Sequence, residues 1–168
     1  FTAFDNIMER HGLEKIKTIG DAYLAVSGLP NKDEQHAENA IKAALDIVDF
    51  IKHRKTHFEH ALDIRIGIHS GHVIAGIVGV KKFAYDIWGD TVNTASRMEQ
   101  SSAPGRVNIS QDTYTLVEGK FEVEARGIVQ VKGKGGIQMY FVNAVAGSSS
   151  LNTWFLAILS LQHAACTG

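Results

Sequence analysis

Asp86, Asn93 and Arg97 lie close together in the sequence and could act on one phosphorylated ligand. An apolar run that includes Asp86 stops at Gly89, and Asp90 is a good N-cap for the helix predicted to follow. Asn93 and Arg97 are four residues apart, so they project from one face of that helix. An amide and a guanidinium on a rigid helix suit a sugar oxygen and a phosphate charge. The spacing alone is equally typical of a surface helix with an incidental polar pair.

A second group of polar residues lies on a predicted β-hairpin near the start of the chain. Two β-rich runs, residues 15–19 and 22–27, meet at the turn formed by Gly20 and Asp21. Taken alone, Asp21 is explained by ordinary turn chemistry and Lys17 by a solvated strand position.

Helices and strands follow one another without strict alternation along the rest of the chain. Apolar residues at intervals of three and four predict the clearest helix over residues 37–51. The other predicted elements are a helix ending at His11, helices over 91–100 and 111–117, strands over 62–69, 83–88, 107–109, 121–131 and 138–142, and a short helix or turn within the glycine-rich stretch 67–79. This mixture predicts an α+β sandwich with one sheet.

Composition limits the chain to one ordinary domain. It has 168 residues, of which 45% are apolar, which is enough for a core. The formal net charge of −1 provides no field for nucleic acid or an anionic membrane, so we expect no nucleic-acid partner. The single cysteine, Cys166, excludes an internal disulfide and fits a reducing compartment.

The two ends differ from the rest of the sequence. The chain opens at Phe1 inside an amphipathic pattern, as a fragment of a longer protein would. Residues 147–150 have the composition of a linker, and the apolar run 151–161 is far shorter than the ~20 residues of a membrane-spanning helix. We therefore predict a domain over residues 1–145 and a linker with a short apolar tail over 146–168. A non-native extension is favoured over a docking helix for this tail.

Three segments resemble the class III nucleotidyl cyclases, the catalytic domains of adenylyl and guanylyl cyclases. They are residues 85–98 (YDIWGDTVNTASRM), 14–24 (EKIKTIGDAYL) and 65–71 (RIGIHSG). Their order and spacing also agree with that family, and the resemblance covers roughly residues 1–142. It implies a ferredoxin-like α/β sandwich of the cyclase type whose first strand is missing from this fragment.

The resemblance also implies a metal site. In this family the aspartate that matches Asp21 binds two divalent ions on the nucleotide's phosphates. Oxygen ligands and a triphosphate suit Mg²⁺ or Mn²⁺. A second aspartate normally comes from the strand before Phe1, so we expect this fragment alone to have little activity.

The same resemblance assigns substrate-binding and catalytic roles. Lys17 and Asp86 match positions that read the purine, and guanylyl cyclases typically carry glutamate and cysteine there, so the pair points to ATP. Asn93 would orient the ribose, and Arg97 would stabilise charge on the α-phosphate during 3′-hydroxyl attack. Lys132 matches a lysine that contacts the terminal phosphates. The nearby Lys134 is the less favoured candidate.

Because one chain carries residues for both halves of such a site, the resemblance implies a head-to-tail homodimer. The expected activity is conversion of ATP to 3′,5′-cyclic AMP and pyrophosphate in signal transduction. Such a domain would be cytoplasmic and belong to a larger protein, with regulatory or membrane segments upstream. Two alternatives stay open: a guanylyl cyclase, and a catalytically silent module of the same fold that binds a nucleotide or a partner.

The histidines give weaker signals. His72 occupies a position where some family members carry an arginine near the phosphates, but it also suits a residue that fills a turn. His53, His57 and His60 lie at helical spacing and, with Asp63, could suggest zinc. A solvated helix end explains them better because no cysteine accompanies them.

Overall fold

The computed structural model describes residues 1–55, 63–146 and the backbone of 158–162. These ranges contain four helices, namely Thr2–Arg10 (α1), His36–Lys55 (α2), Asp90–Gln100 (α3) and Gln111–Val117 (α4). They also contain nine strands, namely Leu13–Ile19 (β1), Ala22–Ser27 (β2), Asp63–Ile68 (β3), Ile74–Val78 (β4), Ala84–Trp88 (β5), Val107–Ser110 (β6), Phe121–Val131 (β7), Gly135–Val145 (β8) and Ile158–Gln162 (β9).

Seven of these strands form one sheet in the order β1-β2-β9-β3-β6-β8-β7. The pairing of β3 with β6 is parallel, and the other pairings in this sheet are antiparallel. The remaining two strands, β4 and β5, form a separate antiparallel hairpin. The predicted α+β class is therefore observed.

The two faces of the large sheet are covered differently. Strand β3 turns Ile64, Ile66 and Ile68 toward a core that it shares with α1, α2 and α4. On the other face, Gly67 lies against α3 so closely that a Cβ atom on it would be 1.9 Å from the backbone nitrogen of Glu99. This glycine allows α3 to sit directly on the sheet.

Two local predictions were wrong. Part of the glycine-rich stretch 67–79, expected to be a short helix or turn, is strand β4. Asp90 was predicted to cap α3, but the N-cap residue is Gly89, and Asp90 is the first helical residue. Gly89 has a φ of 127°, which a residue with a side chain rarely adopts.

Strand β9 comes from the segment predicted to lie outside the domain. Its backbone pairs with β2 at Ala22 and Tyr23 and with β3 along residues 63–67. The predicted boundary after residue 145 stays a prediction. A stability measurement with and without residues 146–168 would test it.

Candidate active site

Helix α3 presents the predicted catalytic pair on its outer face. Ala95 and Met98 are buried, whereas Asn93 is exposed and Arg97 is partly exposed. Arg97 donates from Nη1 to Oε1 of Gln100, one turn further along, at 2.7 Å. The amide and the guanidinium therefore share one accessible face, as their spacing predicted.

Lys17 and Asp86 are distant in sequence, but the fold brings them together. The Nζ atom of Lys17 donates to Oδ2 of Asp86 at 2.6 Å, and the Ile87 backbone N–H donates to Oδ1 at 2.8 Å. The hydrogen bond from Lys17, reinforced by that of Ile87, holds the pKa of the Asp86 carboxyl below its usual range. The pair therefore offers a cationic donor beside an ionised acceptor.

A β-bulge in β1 determines which way Lys17 points. Lys15 pairs with Ala25, but Lys17 pairs with Leu24, so Ile16 is an extra residue without a partner on β2. Because side chains alternate along a strand, this extra residue moves Lys17 to the opposite face from Lys15. Lys15 contacts Asp5 of α1 instead. The bulge thus directs Lys17 to the α3 side of the sheet.

Asp21 is exposed at the turn between β1 and β2. Among the described residues, no group of three or more His, Cys, Asp or Glu side chains could hold a metal ion. One exposed carboxylate nevertheless fits the way Mg²⁺ is usually held, by one or two carboxylates with phosphate oxygens and water. Asp21 therefore suits one protein ligand of such an ion and does not form an all-protein metal cage with other described residues.

The turn between β7 and β8 carries both candidate phosphate-binding lysines. Gly133 and Gly135 adopt positive φ angles of 82° and 74°, which close this turn. Lys132 is exposed, whereas Lys134 bonds through Nζ to Oδ2 of Asp90 at the start of α3. Lys134, the less favoured candidate, is thus the lysine tied to α3.

The structure describes two of the histidines that the sequence singled out, and the roles considered for them stay predictions. The backbone carbonyl of His72 accepts a hydrogen bond from Oγ1 of Thr91 at 2.5 Å, which ties the loop after β3 to the start of α3. His53 bonds through Nδ1 to the carbonyl of Asp49 at 2.8 Å. His57 and His60 lie outside the described residues.

A cavity of about 510 Å³ lies beside the inner side of α3. Its lining includes Val92 and Ala95 of the helix, with His69 and His72 from the loop after β3. None of the six predicted site residues lines this cavity. All six candidate residues are exposed or partly exposed instead, namely Lys17, Asp21, Asp86, Asn93, Arg97 and Lys132, and of these the structure joins Lys17 to Asp86.

Sequence reasoning missed two residues that organise this surface. Gln100 accepts the hydrogen bond of Arg97, and its position three residues further along a predicted helix was an available signal. Asp90 was interpreted only as a helix cap. Its partner Lys134 comes from a distant turn, so no local pattern could reveal the pair.

Comparison with known proteins agrees with this fold. A sequence model of the adenylate and guanylate cyclase catalytic domain matches residues 1–144. The chain is 37% identical over 142 residues to an adenylate cyclase of Mycobacterium tuberculosis, covering 84% of this chain and 32% of that protein. The chain therefore spans about a third of the length of this relative.

Two solved structures are also similar. The guanylate cyclase domain of RhGC from Catenaria anguillulae, in complex with GTP, has a TM-score of 0.81 and 45% identity, covering 86% of this chain and 79% of that one. A non-canonical dimeric guanylyl cyclase domain of the RhoGC fusion protein from Blastocladiella emersonii has a TM-score of 0.77 and 38% identity. This match covers 86% of this chain and 79% of that one.

The fold, with polar side chains accessible on α3 and at the turns after β1 and β7, is that of a nucleotide cyclase domain. This chain belongs to the adenylate and guanylate cyclase catalytic domain family, the class III nucleotidyl cyclases. In the described part of the chain, no helix combines the length and the apolar composition needed to cross a membrane.

Proposed function

We propose that this domain is an adenylyl cyclase that converts ATP to 3′,5′-cyclic AMP and pyrophosphate. The observation that carries the proposal is the pair of Lys17 and Asp86, whose Nζ and Oδ2 atoms are 2.6 Å apart. An ammonium donor suits a ring nitrogen of adenine, and a carboxylate acceptor suits its exocyclic amine. Guanine presents a carbonyl and a ring N–H at this edge, so the same pair would be mismatched.

The proposed reaction is attack of the ribose 3′-oxygen on the α-phosphorus. The new bond from the 3′-oxygen to the α-phosphorus forms as the bond from that phosphorus to the oxygen it shares with the β-phosphate breaks. Pyrophosphate leaves, and the hydroxyl proton is lost to water. Asn93 orients the ribose. Arg97 leaves its bond to Gln100 and stabilises the negative charge that builds on the α-phosphate.

Class III cyclase domains are generally metal-dependent, and we propose Mg²⁺ or Mn²⁺ here, two ions per site. Asp21 would hold them with the phosphate oxygens and a second carboxylate. When bound, these ions would lower the pKa of the 3′-hydroxyl and stabilise the leaving pyrophosphate. Lys132 would contact the terminal phosphates.

The assembly we propose is a head-to-tail homodimer. This one chain carries residues for both halves of the site that the family resemblance implies, Asp21 for one half and Asn93 with Arg97 for the other. The hairpin of β4 and β5 and its connecting loop also expose large apolar side chains, among them Ile74, Ile77, Val80 and Phe83. Such a surface is typical of a protein interface.

A guanylyl cyclase is the second candidate, and one observation favours it. Identity to the RhGC guanylate cyclase domain is 45%, against 37% to the mycobacterial adenylate cyclase. Overall identity, however, averages over the whole domain, whereas nucleotide choice depends on the few side chains that contact the base. Lys17 and Asp86 therefore weigh more than the difference in identity.

Exchange of the two base-reading residues tests the proposal. Lys17→Glu combined with Asp86→Cys should lower kcat/KM for ATP and raise the relative use of GTP, because donor and acceptor change places. The measurement is kcat/KM for both nucleotides, in this chain and in a form extended upstream of Phe1.

Lys15→Glu is the matched control, since Lys15 lies two residues away on the opposite face of β1. An unchanged ratio of ATP to GTP use in the double variant would show that the pair does not read the base. Binding without turnover of either nucleotide would favour a silent module.

Mixing two inactive variants tests the shared site. Arg97→Ala and Asp21→Ala spoil different halves of the proposed site, so one of the two sites in a mixed dimer regains a full set of residues. Activity should recover in the mixture to about a quarter of wild type, because half of random dimers are mixed and each has one intact site of two. Proven heterodimers without recovery would defeat the shared-site dimer.

A further inference from the structure

We propose that Asp90 is a positioning residue that neutralises Lys134 in the absence of nucleotide, and that a bound triphosphate competes with Asp90 for this lysine. The inference rests on the proposed function because it concerns the phosphates of the same substrate. It gives Lys134 a role in substrate binding and Asp90 a role as its exchangeable counter-ion.

The geometry of the pair supports an exchange. The side chain of Lys134 is 23% exposed, and that of Asp90 is 79% exposed. The lysine is therefore the partly enclosed partner, and the carboxylate approaches it from the solvent side. A phosphate oxygen arriving from solvent can take the same place without rearranging the sheet.

The turn that carries Lys134 leaves space around it for the lysine side chain to rotate. The backbone N–H of Lys134 bonds to the carbonyl of Val131 at 3.1 Å, which closes the turn. Gly133 and Gly135 flank Lys134, and a Cβ atom added to either glycine would meet no atom within 4 Å. The lysine can change its partner by side-chain rotation while the turn itself stays closed.

The energies also permit an exchange. An ion pair as open to solvent as this one contributes only about 0.2–1 kcal/mol. A triphosphate carries several negative charges and offers many acceptor oxygens, so it can compete with one exposed carboxylate. Asp90 also follows Gly89 at the start of α3, three residues before Asn93, so release of Lys134 would occur beside the ribose-binding position.

The test measures binding of inorganic tripolyphosphate to the whole chain by calorimetry, without any turnover. Asp90→Asn should bind it about two- to fivefold more tightly, because Lys134 loses its competing counter-ion. Lys134→Gln should bind it more weakly by at least a similar factor. The double variant should match Lys134→Gln alone, since Asp90 acts through the lysine.

Glu122→Gln is the matched control, because it removes one exposed negative charge from β7 far along the strand from the turn. Unchanged or weaker binding by Asp90→Asn would overturn the inference, and so would additive effects in the double variant. A purely structural role would lower the melting temperature and leave the affinity unchanged. The predicted affinities, together with no cyclic AMP formation by the form extended upstream of Phe1, would reject the proposed function but keep the Asp90–Lys134 exchange.

Discussion

The two faces of the large sheet are held by different kinds of contact, and we propose that this difference separates stability from chemistry. On one face, α1, α2 and α4 cover a continuous apolar core, in which Ile41, Ile47 and Ile66 are fully buried. On the other face, α3 packs over a much smaller apolar cluster formed by Met98, Val131 and Met139.

The α3 face is held mainly by polar contacts and by close backbone approach. Asn108, which is fully buried, donates from Nδ2 to the carbonyl of Met98 at 2.8 Å, and Arg65 bonds to Glu99 at 2.9 Å. Such directional contacts fix the orientation of α3 while its outer side stays open to ligand. We therefore expect substitutions on the outer side of α3 to affect activity much more than stability.

Removal of the Arg97 guanidinium should give the largest effect. In the form extended upstream of Phe1, we expect Arg97→Ala to lower kcat by ~10²-fold or more, as is typical when a preorganised transition-state donor is lost. Asn93→Ala should act in the same way. KM for ATP should change little, because neither residue holds the ground-state base. Steady-state kinetics with thermal melting check this.

Ile47→Ala tests the opposite effect, on the sheet face that α1, α2 and α4 cover. It should cost about 2–5 kcal/mol of unfolding free energy and leave the kcat of the folded fraction nearly unchanged. If Arg97→Ala lowered the melting temperature enough to explain its loss of kcat, the two faces would not divide these roles.

The second prediction concerns the contact between β3 and α3. Gly67→Ala should destabilise the domain by about 3 kcal/mol, because its Cβ would lie 1.9 Å from the backbone nitrogen of Glu99. It should also lower kcat, since α3 must move and carries Asn93 and Arg97. Denaturant unfolding and kinetics measure both losses.

Gly76→Ala is the matched control, because its Cβ would meet only the Trp88 ring at an ordinary 3.5 Å. If Gly67→Ala retained wild-type stability and kcat, the close approach of α3 to the sheet would not position the site.

The sequence correctly predicted the elements whose residue pattern lies within the element itself. The apolar spacing of 37–51 lies within α2 (His36–Lys55), and the three cyclase-like segments indicated the family that the comparisons confirm. Strand β4 was missed because its glycine weakens a strand pattern.

Long-range features of the site could not be predicted in the same way. The contact of Lys17 with Asp86 depends on the unpaired Ile16 and joins residues 69 positions apart, and neither the bulge nor the distant partner shows in a local apolar pattern. The Asp90–Lys134 pair depends on how α3 meets the turn between β7 and β8. Family resemblance suggested the roles of Lys17 and Asp86 and gave Lys134 only as the less favoured phosphate-binding candidate, whereas the contacts of these residues came from the fold.

The smallest predicted effect concerns Asp46, on the sheet face that α1, α2 and α4 cover, and it depends on pH. Asp46 is fully buried in α2, where its Oδ2 accepts from Arg10 at 3.1 Å and its Oδ1 has no hydrogen-bond partner among the described residues. Burial raises the pKa of this carboxyl to about 7, despite the opposing charge of Arg10. The folded protein therefore keeps a proton that the unfolded chain releases above pH ~4.

Because of this raised pKa, the contribution of Asp46 to stability is present below pH ~4 and is lost as the pH rises toward 7. Asp46→Asn cannot lose that proton, so its stability relative to wild type should increase over this window by on the order of 2 kcal/mol. Urea unfolding at pH 4, 5.5 and 7 measures the difference. Glu122→Gln, on an exposed part of β7, controls for the loss of one negative charge. A difference between Asp46→Asn and wild type that stays constant with pH would mean that Asp46 is ionised in the folded core and is stabilised there by Arg10.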